Sequence, residues 1–203
     1  MKGSLIVVGF FVLGVILGRM DVMPVWLLDG KLTFIALCGL LFCVGMSIGS
    51  NENVVGEFRS LNPRLALLPV ATILGCFAGS VVAWLFLQYR EPTDCLAVGS
   101  GFAYYSLSSI FITQYRGAEL GTVALLANIF REMITLLLSP ILYKVFGPLA
   151  PISAGGATTM DTTLPIISQT CGQQYVVVSL YHGFVVDFSV PFLVSFWCIT
   201  GGA

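Results

Sequence analysis

The stretch 155–171, GGATTMDTTLPIISQTC, decides how the chain is read. It opens with a glycine pair, carries four threonines before Pro165, and holds a single acid, Asp161, among apolar residues. On either side lie the apolar runs 120–143 and 175–200, each of a length to cross a bilayer. Non-helical backbone at membrane depth is tolerated only where protein or a water-filled cavity satisfies its polar groups. An acid at that depth points to a functional site. The stretch therefore predicts a helix broken inside a membrane, with Asp161 where a substrate passes.

The composition fits. Of 203 residues, 57% are hydrophobic and 9% charged, with a mean hydropathy of +0.96. An ordinary globular chain is about 25% charged. The fold class is an all-α polytopic membrane protein, transporter-like, with broken or re-entrant helices. Its length accommodates about six or seven transmembrane segments of roughly 20 residues. Residues 1–203 read as one integral-membrane domain embedded in the lipid bilayer, without room for a soluble one. A net charge of −1 offers no basic field for nucleic acid. The cysteines at 38, 43, 76, 95, 171 and 198 form no C-x-x-C pair and mostly lie in apolar runs. They suggest neither a disulfide framework nor a metal site, and no cofactor is expected.

In chain order, spans are predicted at 4–18, 32–48 and 65–87, which places the first three within 4–90. The first of these lacks a clear cleavage site and reads as a span rather than a signal peptide. The polar stretch GSNENVVGEFRSLNPR separates the second span from the third. The run 95–115, CLAVGSGFAYYSLSSIFITQY, is long enough to span but rich in Gly and Ser. It opens the core 95–203, with breaks near 99–109 and 155–165. Positive-inside counting ties, with Lys2, Arg59 and Arg64 against Arg19, Lys31 and Arg90.

The candidate site residues follow from polarity at depth. Two Gly-opened, hydroxyl-rich segments are the sequence pointer to a transporter site. One contributes Gly101, Tyr105 and Ser106, the other Gly155, Gly156, Thr159 and Asp161. Both also suit close helix packing. Glu132 lies near the middle of its apolar run, where a lone carboxylate costs about 2.5–3.5 kcal/mol. Arg131 beside it points about 100° away on a helix, so each needs a partner elsewhere. For Arg131 the alternative to a substrate role is an ion pair with Asp161 or Asp187. His182, the one histidine, reads as a proton relay or a helix-packing residue. Asp187 does not share a helix face with His182 and is the weakest of the three acids as a site residue. There is no G-x-S-x-G and no recognised aspartyl dyad, so the chain does not read as an enzyme.

Four motifs, GFAYYSLSSIFIT, NIFREMITLLLSP, GGATTMDTTLPII and HGFVVDFSVPFL, closely resemble in order and spacing the C-terminal part of the LysO-type lysine exporters. The resemblance runs more loosely back through LLFCVGMSIG. It implies export of L-lysine and its analogue thialysine across the bacterial inner membrane, with Glu132 and Asp161 as the functional acids. Single-chain exporters carry a further N-terminal block. The resemblance is to the longer half of a split exporter, and implies a short membrane subunit as partner, or a homodimer. The mechanism expected is proton-coupled antiport: ionised acids attract the ammonium groups and protonated acids release them. A water-poor surround disfavours the charged form, which suits that exchange. The segments around Gly101 and Gly155 would present backbone groups to the substrate carboxylate. The alternative is a monovalent cation/proton antiporter using the same acids, with protons or another coupling cation.

Overall fold

Three helices long and apolar enough to cross a membrane order the described residues of the computed structural model: Arg64–Phe86, Ala118–Phe146 and Gln173–Thr200. The structure describes residues 63–201 except 88, with isolated positions before them (9, 13, 14, 16–20, 35, 42 and 46). Residues 1–60 and 61–203 form separate units, and the second holds all three long helices. Apart from those isolated positions, the expected spans 4–18 and 32–48 lie outside the described residues. No strand occurs among the described residues.

The first long helix is a 3-10 turn, Pro63–Leu67, continued by α1, Leu68–Phe86. Pro69 sits in its first turn, where a missing N–H costs nothing. Next come α2 (Pro92–Gly99) and α3 (Tyr105–Arg116), with a break between them. Although the run 95–115 is long enough to span, it turns back. The Arg116 guanidinium at the end of α3 meets Glu91 at 3.4 Å and Asp94 at 3.7 Å, at the start of α2. Both arms therefore begin and end at one end of the bundle. Gly117, with φ 91°, then turns the chain into α4, Ala118–Phe146. An Arg90–Glu119 ion pair places the end of α1 at the same level.

The second hairpin enters from the opposite end. It comprises α5 (Leu149–Gly155), a 3-10 turn (Gly156–Met160) and α6 (Leu164–Cys171). Gly172, with φ 100°, turns the chain through Gln173–Tyr175 into α7, Val176–Thr200. An apolar cluster of Ile152, Ile166, Ile167, Cys171 and Val178 holds this end against Leu65 and Leu68. The end of α7 reaches back to the first hairpin, where Arg116 Nε donates to the Cys198 carbonyl at 3.1 Å. One face of α7 packs inward through His182, Val186, Val190 and Val194. Its opposite face exposes Phe184, Phe188, Phe192 and Phe196, a lipid-compatible stripe.

The hairpin tips meet at mid-depth through main chain. The Ala157 amide donates to the Phe102 carbonyl at 2.9 Å. Gly156 has φ 63°, and a Cβ there would stand 2.3 Å from that carbonyl oxygen, so only glycine fits. Phe102 and Ala103 also have positive φ, 44° and 72°. Such backbone persists only when its surroundings hold it.

Candidate functional site

One helix, α4, serves both breaks. Asn128 and Arg131 lie three residues apart and thus on one face. Asn128 Oδ1 accepts from the Ala103 amide at 2.8 Å, and its Nδ2 donates to Ala124 O at 2.9 Å. The strained first tip is tied down by that single side chain. Arg131 answers the second break. Its Nε donates to Ala154 O at 2.8 Å and its Nη2 to Ser153 O at 3.0 Å, both at the C-terminal end of α5. Nη1 reaches Cys76 Sγ at 3.0 Å, and the guanidinium lies 5.7 Å from the Phe102 ring centroid. A cation over unsatisfied helix-end carbonyls is favourable in both dipole and hydrogen-bond terms. Among the described residues Arg131 makes no ion pair with Asp161 or Asp187; the partners it needs are carbonyls.

His182 is fully buried and ties α1 to the second hairpin. Its Nε2 lies 2.9 Å from Thr72 Oγ1 and its Nδ1 3.3 Å from Thr159 Oγ1. Thr159 also faces the carbonyls of Gly156 at 2.8 Å and Ser179 at 2.9 Å, and its one proton goes to one of them. Toward Nδ1 it therefore accepts, which leaves Nε2 to accept from Thr72. No carboxylate appears among the hydrogen-bond partners of His182 in the described residues.

The acids gather at the crossing. Asp161 stands at the second tip, just before α6, with the Thr162 amide donating to its Oδ1. The Thr162 hydroxyl is 3.3 Å from the same oxygen and lies near Glu132. One hydroxyl proton serves one carboxylate at a time. Tyr105, 38% exposed, lies in electrostatic reach of both Glu132 and Asp161. Tyr104 stands in the same relation to Asp161 and Asp187, and Asp187 is in reach of Asp161. Asp187, the acid that ranked last in sequence, thus joins the group. Ser106 is exposed on the first turn of α3.

The glycines make the crossing possible. A Cβ on Gly101 would fall 2.3 Å from Asn128 Nδ2, and one on Gly155 2.6 Å from Thr159 Cγ2. Beside the crossing, a cavity of about 420 Å³ opens among α1, α2 and α4. Its lining runs from Arg90 and Glu119 at the bundle end to Arg131 at mid-depth, past Asp94 and Ser80. Among the described residues no three of His, Cys, Asp and Glu are placed to hold a metal ion.

Carboxylates held close in a water-poor surround repel, and a bound cation or a shared proton relieves the repulsion. The arrangement is suited to binding and releasing a small cation at mid-membrane.

Comparison with known proteins gives the family. The family model described as "Lysine exporter LysO" matches residues 8–198. The chain is 33% identical over 158 residues to "Lysine exporter LysO" of Escherichia coli, covering 78% of this chain and 52% of that protein. It is 30% identical over 192 residues to a "Putative lysine exporter" of Haemophilus influenzae, covering 92% of this chain and 93% of that one. The chain thus spans about half the length of the E. coli relative and nearly all of the H. influenzae one. No solved structure matches. By the extent of these matches the chain is a membrane protein of the lysine exporter LysO family.

Proposed function

We propose that the protein exports L-lysine, and its analogue thialysine, across the bacterial inner membrane by proton-coupled antiport through Glu132 and Asp161. The observation that carries this reading is the proximity of those acids, within electrostatic reach of one another on two different elements at the meeting of the two hairpins. Ionised, they receive an ammonium group; the arriving proton takes its place and releases it. Hairpins entering from opposite ends support alternating access, since each tip closes one route to the same point. The cavity that ends at Arg131 supports a route from one end. Arg131, Asn128 and His182 act as positioning residues that hold the crossing together.

The test is radiolabelled lysine counterflow in proteoliposomes. Because the chain spans about half of the E. coli relative, it is assayed alone and with the N-terminal spans of such a relative supplied separately. A homodimer predicts activity alone, and a short membrane subunit predicts activity only with both. Glu132→Gln and Asp161→Asn should each abolish counterflow in protein that remains folded. Normal counterflow by Asp161→Asn would falsify the exchange mechanism. Sodium-dependent pH change without lysine counterflow would instead indicate a monovalent cation/proton antiporter.

A further inference from the structure

The two hairpins and the helices that follow them form an inverted repeat in constant register. Each unit is a hairpin followed by one crossing helix, so the second unit is inverted with respect to the first. The left-handed corner Gly117 corresponds to Gly172, with φ of 91° and 100°. The break glycine Gly101 corresponds to Gly156, and Ile112 to Ile167. All these pairs lie 55 positions apart, with no insertion between them. The same shift places Asn128, Thr135 and Ser139 of α4 on Gly183, Val190 and Val194 of α7, all buried. Five of the six buried residues of α4 have buried counterparts in α7; the sixth, Leu120, falls on half-buried Tyr175. In this register Glu132 falls on Asp187.

The surroundings of the two acids repeat as well. Glu132 is in electrostatic reach of Asp161 and Tyr105; Asp187 is in reach of Asp161 and Tyr104, the adjacent tyrosine of the same tip. Thus the two span acids share Asp161 and each has its own phenol. Among the described residues the Asp187 carboxylate has no hydrogen-bond or ion-pair partner, yet it sits near the middle of a 25-residue apolar helix. A structural acid at that depth would be paired. The acids do not form a single metal-type cluster among the described residues.

We propose that Asp187 is a third substrate-contacting acid, the inverted counterpart of Glu132, and that the two span acids each receive one ammonium group of an amino acid that carries two. This rests on the exporter reading above. It adds a residue to that site and assigns its preference for two positive charges to the repeat.

The experiment is lysine counterflow by the full chain, under whichever subunit condition supports wild-type activity, with Asp187→Asn. Loss of one charged hydrogen-bond partner should raise the half-saturating lysine concentration by about 10- to 100-fold. A merely structural role would lower the maximal rate through loss of folded protein and leave half-saturation unchanged. Unchanged half-saturation in folded Asp187→Asn overturns the inference and leaves the exporter reading standing. Absence of lysine counterflow in the wild type overturns both. If Asp187→Asn is not recovered folded, Asp187→Glu replaces it. That variant keeps the charge but moves it by one methylene, and half-saturation equal to the wild type's again overturns the proposal.

Discussion

Arg131→Met separates a structural arginine from a substrate-binding one. The substitution keeps an unbranched apolar stem and removes the donors. It deletes the bonds to the carbonyls of Ala154 at 2.8 Å and Ser153 at 3.0 Å and leaves both acceptors without that partner. Bonds from a charged donor contribute about 1.5–3 kcal/mol each. The guanidinium over the Phe102 ring adds roughly 0.5–2 kcal/mol. Relief of the desolvation of a half-buried charge offsets part of this. A net loss of about 3 kcal/mol is expected. For a chain of this size each kcal/mol shifts Tm by roughly 2–4 °C, so the fall should be about 6–12 °C. The assay is thermal unfolding of detergent-solubilised protein, followed by tryptophan fluorescence. Arg131→Lys should lose about half as much, because one ammonium does not reproduce the fork that spans two successive carbonyls. If Arg131→Met melts within 2 °C of the wild type, on the order of the effect of one weak contact, Arg131 does not cap α5.

Two further substitutions test the crossing. Gly156→Ala should prevent recovery of folded protein, because its Cβ would stand 2.3 Å from a backbone oxygen at a positive φ. Gly147→Ala is the control: φ is 86° but nothing lies within 4 Å, so it should cost only about 1–2 kcal/mol. Equal expression and melting of the two would contradict the close tip contact. Asn128→Ala leaves the buried Ala103 amide without its 2.8 Å acceptor and should destabilise by about 1–3 kcal/mol. Hydrogen exchange at the first tip should accelerate with it, and unchanged protection there would show that the tip does not depend on Asn128.

The long helices were legible because an apolar run of that length has few other uses. Glu132 and Asp161 stood out as acids inside such runs, and the paired glycines marked both breaks. The return of 95–115 was not legible. A run of that length has the same composition whether it crosses or doubles back. The contacts of Arg116 with Glu91 and Asp94 decide it, and they join residues distant in sequence. Arg131 plainly needed a partner, but an unsatisfied helix end is visible only once α5 is seen to stop at Gly155. Asp187 ranked low because its helix neighbour His182 faces elsewhere. Its neighbours in space, Tyr104 and Asp161, lie on two other elements.

The bond between the hairpin tips, from the Ala157 amide to the Phe102 carbonyl, involves no side chain. Most substitutions at either residue leave both bonding atoms in place. Because both side chains are buried, a mutational scan reads their packing and not the bond itself, although both halves of the bundle meet there. Replacing the Ala157 amide by an ester removes the donor alone, and chemical editing of the backbone is the means of measuring what the joint contributes.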